Sequence, residues 1–522
     1  MHFVTVMLVG CLVSRFPNGT GQVDHSEAKQ EARAYYISIS GNDRNTGTRH
    51  APFQSINKLN TVPFNPGDSI LFEGRRHFTG NFTPHPTRPG DQRHPILIGT
   101  FGSGYAFLHA GNGTGIDIEE VQWVAIKKLI LIGSGRKKGN VQSGLAIMNS
   151  HFITADSLEI SGFQKSGLNI DFSGDITVKH IFSHDNGFAG ISISGTGISK
   201  KSNHNIYIGY CRAENNPGDP SNLNNHSGNG IVVSACTNVL IEYCTATNNG
   251  WDMPRKGNGP VGIWAFEADS VVIQHCLSYR NKTSVGGADG GGFDLDGGVT
   301  HSIVQYCLSY ENQGAGYCLF QYLYASPWHD NIFRFNISEN DGAVSDAHGG
   351  IYIWNSTKSS DQFYNGWCYN NTIYNAKGTA ISYSELSERK GFAFFNNIFV
   401  ARDGLETSKA VRDIFKGNDW WNLDHSIRPG GKNGMESEED KPENNKPQTS
   451  RKLITLNPEF KMAGKARLTS AVGIKNFNHY KIPAHSSLRQ VGIHPENIYG
   501  SDEGVLDFNG KKPPVKGIGA SF

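Results

Sequence analysis

No stretch of this chain sustains the run of about 18 apolar residues that a membrane-crossing helix needs, and none shows the three-to-four-residue apolar recurrence of a long amphipathic helix. An excess of charge of one sign is also missing: 48 Lys and Arg stand against 47 Asp and Glu, a net charge of +1. That balance excludes the basic footprint of a nucleic-acid binder or of a protein drawn to anionic membranes. Charged residues are only 18% of the 522, and 21 Pro stand beside 62 Gly. Low charge, abundant Gly and recurring clusters of Val, Ile, Tyr, Phe and Asn are the usage of many short strands joined by tight turns.

The apolar run from Phe3 to Val13 is too short to span a bilayer and lacks a basic flank. It reads as the core of an export signal over roughly residues 1–22. Within it, Leu8-Val9-Gly10-Cys11 is like a lipobox that would carry lipid on Cys11, and an ordinary signal containing a cysteine reads equally well. The expectation is a monomeric, secreted, periplasmic or cell-surface protein, soluble or lipid-tethered, without a membrane span.

Internal repetition governs the fold. Asn238-Val239-Leu240-Ile241-Glu242-Tyr243-Cys244, Ser270-Val271-Val272-Ile273-Gln274-His275-Cys276 and His301-Ser302-Ile303-Val304-Gln305-Tyr306-Cys307 share one pattern, preceded by Asn205-Ile206-Tyr207-Ile208-Gly209-Tyr210-Cys211. The cysteines recur at intervals of 33, 32 and 31 residues. The series extends back through Leu129, Leu158 and Ile181 and forward through Asn336, Asn371 and Asn397, giving roughly ten coils. A repeat of this length made of short alternating segments between Gly or Asn turns predicts an all-β, right-handed parallel β-helix. Leucine-rich repeats lack their leucine spacing here, and propeller blades are longer. Stacked coils place the Cys column in an interior stripe, as buried free thiols in preference to bridges between coils.

The segment Tyr35-Tyr36-Ile37-Ser38-Ile39-Ser40-Gly41-Asn42-Asp43, followed by Pro52-Phe53-Gln54-Ser55-Ile56, resembles the entry segment of secreted bacterial parallel β-helix proteins. That pectin-lyase-like superfamily includes polysaccharide lyases and glycosidases. The expected organisation is a capped β-helix over residues 33–430, a polar loop over 431–452, and a tail over 453–522 packed back along the helix.

One strand of each coil aligns by its leading Gly: Gly167, Gly190, Gly230, Gly262, Gly292, Gly316 and Gly350. Alternation turns the second and fourth residues after each Gly outward. The outward column then reads Asn169/Asp171, Ser192/Ser194, Val232/Ser234, Trp264/Phe266, Asp294/Asp296, Cys318/Phe320 and Tyr352/Trp354. Two carboxylates between coils that present large aromatics to solvent suit a sugar polymer, because rings stack on sugar faces while acids act on the glycosidic oxygen and anomeric carbon. Asp294 and Asp296 are the predicted catalytic pair, with Glu267 approaching Asp296 from the previous coil. Trp264, Phe266, Phe320, Tyr352 and Trp354 are the predicted substrate platform. Turn residues His226, Asn229, Arg255, Lys256 and His348, with Asp289 and Asp346, are candidates to hold substrate hydroxyls or anionic substituents.

The run Asp289-Gly290-Gly291-Gly292-Phe293-Asp294-Leu295-Asp296-Gly297-Gly298 resembles the acidic strand motifs of β-helical glycosidases, the polygalacturonases and iota-carrageenases. The resemblance implies a two-carboxylate glycoside hydrolase that needs no cofactor. The Asn-Thr-Asp, Asp-Asp, Gly-His-Gly and Arg-x-Lys motifs of polygalacturonases are not intact here, so no substrate is implied. Two rivals stay open. One is a polysaccharide lyase, with Ca²⁺ on Asp289, Asp294 and Asp296 and with Lys256 or Arg255 as base. The other is a non-catalytic glycan-binding β-helix.

Overall fold

The computed structural model describes residues 31–195, 199–342, 349–384, 388–402, 413–424, 454–494 and 505–522. The predicted export signal, Cys11 and the predicted polar loop lie outside them. Among the described residues, thirty-three strands form one continuous parallel network in which each coil pairs with the coil before and the coil after. The chain is the parallel β-helix that its repeats predict. One column runs through ten strands from Ile116–Glu119 to Ile381–Tyr383. Inside the coils, Ile and Val from successive rungs form one long apolar core. At the entry, Ala34–Ile37 pairs with Ser69–Glu73, and the single helical turn Ile56–Leu59 is capped by Ser55, whose hydroxyl accepts from Lys58 N.

Corners are made by left-handed residues. Asn205, Asn238, Ser270, His301, Asp330 and Asn365 hold φ between 50° and 56° at one corner. Asn and Asp tolerate that conformation better than other non-glycine residues, which accounts for the asparagine-rich turns.

Two polar columns run through the coils. Cys211, Cys244, Cys276 and Cys307 are buried free thiols whose Sγ–H groups point to carbonyls two residues earlier, at 3.2–3.3 Å. The column continues as Asn336, Asn371, Asn397 and Asn418, each Nδ2 donating to the next Oδ1 at 2.9–3.1 Å. A second ladder joins Asn186, Asn216, Asn249, Asn281 and Asn312 side chain to side chain at 2.9–3.2 Å. It ends on Asp341, whose carboxylate accepts from Asn312 Nδ2 at 2.9 Å and from the Ser338 hydroxyl at 2.7 Å.

Burial pushes the Asp341 carboxyl from the ordinary 3.8 up to about 7. A raised pKa gives stability that is fully present below about pH 4 and lost as pH rises through about 7. An amide has no such loss, and it would offer Ser338 the same N–H that Asn281 offers Ser278 at 2.9 Å. Asp341→Asn is therefore expected to stabilise the fold by roughly 4 kcal/mol at pH 8 and by almost nothing at pH 4. Denaturant unfolding at the two pH values checks it.

Residues 454–494 and 505–522 lie along one side of the helix. Ala471, Ile474, Phe477, Tyr480 and Phe508 pack on Leu277, Tyr279, Leu308, Tyr310 and Ile337. The Tyr310 hydroxyl donates to Leu468 O and the Tyr480 hydroxyl to Glu339 Oε2, both at 2.7 Å. That side is closed, and the face carrying Asp294 lies in a different column of strands. No helix among the described residues is long and apolar enough to cross a membrane.

Candidate active site

Register pairs the outward column as the alternation predicts. Asn169, Ser192, Val232, Trp264, Asp294, Cys318 and Tyr352 are partners from rung to rung. Asp296 follows the strand Gly291–Leu295 and remains in the ladder, its N–H donating to Ala265 O at 2.8 Å. Phe293 and Leu295 between the acids point inward and are fully buried.

The face is more enclosed than alternation alone predicts. Trp264 is 3% exposed, Phe320 6% and Asp294 1%; Phe266, Tyr352 and Trp354 are half-buried. The aromatics are thus not an open platform. They form two clusters flanking the acids, Trp264 with Phe266 and Val232 on one side and Phe320 with Tyr352, Trp354 and Cys318 on the other. His226 and Asn229, predicted to hold substrate, instead prop the first cluster. The His226 ring stands edge-on to Trp264 at 4.7 Å and its Nδ1 faces Asn229 Nδ2 at 3.0 Å, while Asn229 Oδ1 accepts from Trp264 Nε1 at 3.1 Å. Burial, with Arg255 adding repulsion, drives the His226 imidazole down to about 4, so it is neutral. Its loop covers the aromatic wall, and neither side chain has surface to offer a ligand.

Four carboxylates share the enclosed space. Asp294 is buried and its Oδ1 has no hydrogen-bond partner. Desolvation, with Asp296 and Asp289 adding like charge, holds its pKa well above the usual range. Asp296, partly open to solvent, is pushed up to about 7 by burial, against a 2.6 Å hydrogen bond from Gly297 N and with repulsion from Asp289 and Glu267. Asp289, also half-buried and at φ 61°, is pushed up to about 6 by burial, held down by Gly259 N–H at 2.6 Å and by the Arg255 charge. Glu267 is buried at φ 43°, with Oε1 accepting from Ser326 N at 2.8 Å and Oε2 without a partner. The absent side chain of Gly298 makes room for it, since a Cβ there would lie 2.4 Å from Glu267 Oε2.

The structure therefore gathers Asp289, Asp294, Asp296, Glu267 and Arg255. Lys256, one residue beyond Arg255, is exposed, and His348 with Asp346 lies outside the described residues. Two residues outside the repeat pattern join them. Tyr322 sits within the field of Asp296 and Glu267, and Lys200 reaches Glu267 and Asp269 from an earlier coil, donating to the Thr300 hydroxyl at 3.2 Å. Neither belongs to the repeat pattern, so neither carries a signal in the sequence. A separate groove of about 360 Å³, lined by Arg136, Lys137, Asn140, Gln164 and Ser221, lies on other coils and offers no carboxylate for acid–base work.

A solenoid with several elevated carboxyls between aromatic walls defines a class, the right-handed parallel β-helix proteins with an acidic cleft. Residues 35–321 match the family model described as Pel9A-like, right handed beta helix region, and the chain belongs to that family. It is 31% identical over 134 residues to a lacto-N-biosidase of Bifidobacterium longum subsp. longum, a match over 24% of this chain and 8% of that much longer protein. The crystal structure of the GH136 lacto-N-biosidase from Eubacterium ramulus superposes with a TM-score of 0.54 at 17% identity, over 75% of this chain and 68% of that one. Pectate lyase Pel9A aligns over 94% of this chain and 97% of its own at 14% identity, with a TM-score of 0.45.

Proposed function

We propose that the protein is a carbohydrate-active enzyme, a glycoside hydrolase in which Asp296 is the proton donor and Asp289 the base or nucleophile. The observation that carries this reading is the unequal enclosure of the three aspartates on one turn and strand. Asp294 is fully buried, whereas Asp289 and Asp296 on either side of it keep exposed surface. Only a group that solvent reaches can also reach a glycosidic bond.

Hydrolysis needs one carboxyl protonated and one ionised at the same pH. Asp289, at about 6 and held by Gly259 N–H and the Arg255 charge, ionises first. Asp296, at about 7, keeps its proton longer. Asp296 protonates the leaving oxygen as the glycosidic bond breaks, and Asp289 activates water or attacks the anomeric carbon. Asp294 stays neutral between them, filling the floor without adding charge. Phe266, Tyr352 and Trp354 keep enough open surface to stack on sugar rings at the cleft edge. The likeness to proteins named lacto-N-biosidase supports the same reaction class.

The test is a panel of plant, algal and host glycans, lacto-N-bioside substrates included, with product analysis. New reducing ends without an unsaturated product, undiminished by EDTA, are expected. An unsaturated, ultraviolet-absorbing product abolished by EDTA would replace hydrolysis with elimination at a calcium site on Asp289, Asp294 and Asp296. Retention of a glycan without turnover would make the cleft a binding module.

A further inference from the structure

About four coils before the acids, one corner of the helix brings together two imidazoles and a carboxylate that serve no part of the cleft. His151, Gly174 and His204 are rung partners in three successive coils, and Asp175 follows Gly174 at the left-handed corner with φ 57°. Side chains two rungs apart ordinarily stand about 9–10 Å apart, twice the strand spacing. Here the two rings lie 5.7 Å apart, centroid to centroid. They converge because the middle rung is glycine: a Cβ on Gly174 would sit 2.4 Å from both Cε1 and Nε2 of His204. The glycine thus opens the space that the second imidazole occupies.

The third donor is aimed at the same point. Asp175 Oδ2 lies 3.9 Å from His151 Nδ1 and 4.0 Å from His204 Nε2. All three donor atoms fall within 4.8 Å of one another. These separations are too long for hydrogen bonds. Asp175 Oδ1 is already engaged, accepting from Asn205 Nδ2 of the next coil at 3.0 Å. The second oxygen is thereby fixed in direction and left toward the imidazoles. Side-chain exposures of 36%, 30% and 39% leave an ion a path from solvent.

From these features we infer that His151, Asp175 and His204 bind a divalent transition-metal cation of the zinc type, with water completing its coordination. Metal–nitrogen and metal–oxygen bonds near 2.0–2.2 Å at tetrahedral angles put donors about 3.4 Å apart. The two carboxylate–imidazole separations exceed that by about half an ångström and all three donors lie within 4.8 Å of one another, so rotation of the two partly exposed imidazoles toward Asp175 Oδ2 closes the set. Two imidazoles with one carboxylate select zinc or its neighbours over calcium or magnesium, which prefer all-oxygen shells. The ion would staple three coils and stabilise the folded chain in proportion to its occupancy. The corner also holds His301, His329 and Asp330 further along. There His329 Nδ1 is already bonded to Asp330 Oδ2 at 2.7 Å and His301 Nδ1 to Asp269 Oδ1 at 2.7 Å, so that group is closed upon itself.

The experiment uses the full chain purified without a histidine tag, stripped with EDTA and titrated with Zn²⁺ by calorimetry, with Co²⁺ as a spectroscopic probe. One equivalent is expected to bind, to raise the thermal midpoint and to give Co²⁺ visible bands of a low-coordinate site. Asp175→Asn and His204→Gln should each weaken binding by roughly 100-fold and abolish the zinc-dependent rise, with metal-free midpoints near that of the parent. Gly174→Ala, which keeps all three donors but displaces the His204 ring, should weaken binding as well. His329→Gln should leave it unchanged. Equal zinc affinity in the parent and in His204→Gln overturns the proposal, as does loss of the equivalent in His329→Gln alone.

Discussion

Asp296→Asn is expected to lower kcat by about 10²- to 10⁴-fold, the usual contribution of a positioned proton donor, with glycan binding retained and the thermal midpoint little changed. Asp289→Asn should lose turnover to a similar extent. The discriminating variant is Asp294→Asn. In the folded protein Asp294 is held neutral by burial and by its two acidic neighbours, so an amide of the same shape leaves the charge of the cleft as it was. Its turnover should stay within about tenfold of the parent, a small fraction of the loss expected when a proton donor is removed. If Asp294→Asn loses as much as Asp296→Asn, the donor is Asp294 and the assignment fails. The pH profile gives a second reading. Activity needs Asp289 ionised and Asp296 protonated, so kcat/KM should be bell-shaped, with its maximum between about 6 and about 7. The apparent values belong to the coupled group of acids as a whole. Arg255→Met removes the charge that holds Asp289 down and should move the acidic limb to higher pH.

How far the site could be read in advance follows from what a strand pattern encodes. Alternation states which side of a strand a residue takes, and every outward partner from Asn169 to Tyr352 falls where the leading glycines place it. It does not state what lies over that side. Trp264 looks solvent-facing in sequence because the residue that covers it, His226, belongs to a turn outside the repeat. For the same reason Asp289 looked like a turn residue, since its partner Gly259 and its neighbour Arg255 come from a turn 30 and more residues away. The asparagine ladder, in contrast, has a sequence signature. Asn216, Asn249, Asn281 and Asn312 each follow a column cysteine by five residues, a polar position repeated in phase with an interior one. Such a phase says that the side chain is buried, and a buried amide in register with its copies can satisfy itself only along the helix axis.

Breaking that ladder should have the largest effect on stability. Asn281 is buried, its Nδ2 donating to Asn312 Oδ1 and Ser278 Oγ at 2.9 Å each, and its Oδ1 accepting from Asn249 Nδ2 at 2.9 Å and Asn249 N at 3.3 Å. Asn281→Ala removes these four bonds and a fifth, from Nδ2 to Ala246 O at 3.3 Å, and leaves the Asn249 N–H buried without a partner. Each buried polar group left unsatisfied costs about 1–3 kcal/mol, so a loss of roughly 3–5 kcal/mol is expected, measured as a shift in the denaturant midpoint. Asn281→Asp makes a sharper test of the ladder itself. Asp341 is tolerated at the end because both of its oxygens meet donors, Asn312 Nδ2 and the Ser338 hydroxyl. In the middle, a carboxylate would set one acceptor against another at Asn312 Oδ1, and a carboxyl proton would repair that contact. Asn281→Asp should therefore be at least as damaging as Asn281→Ala at pH 8 and clearly less so at pH 4, because protonation restores a donor. Equal losses at both pH values would mean that the rungs are held by the coils' packing and that the amide chain adds little to it.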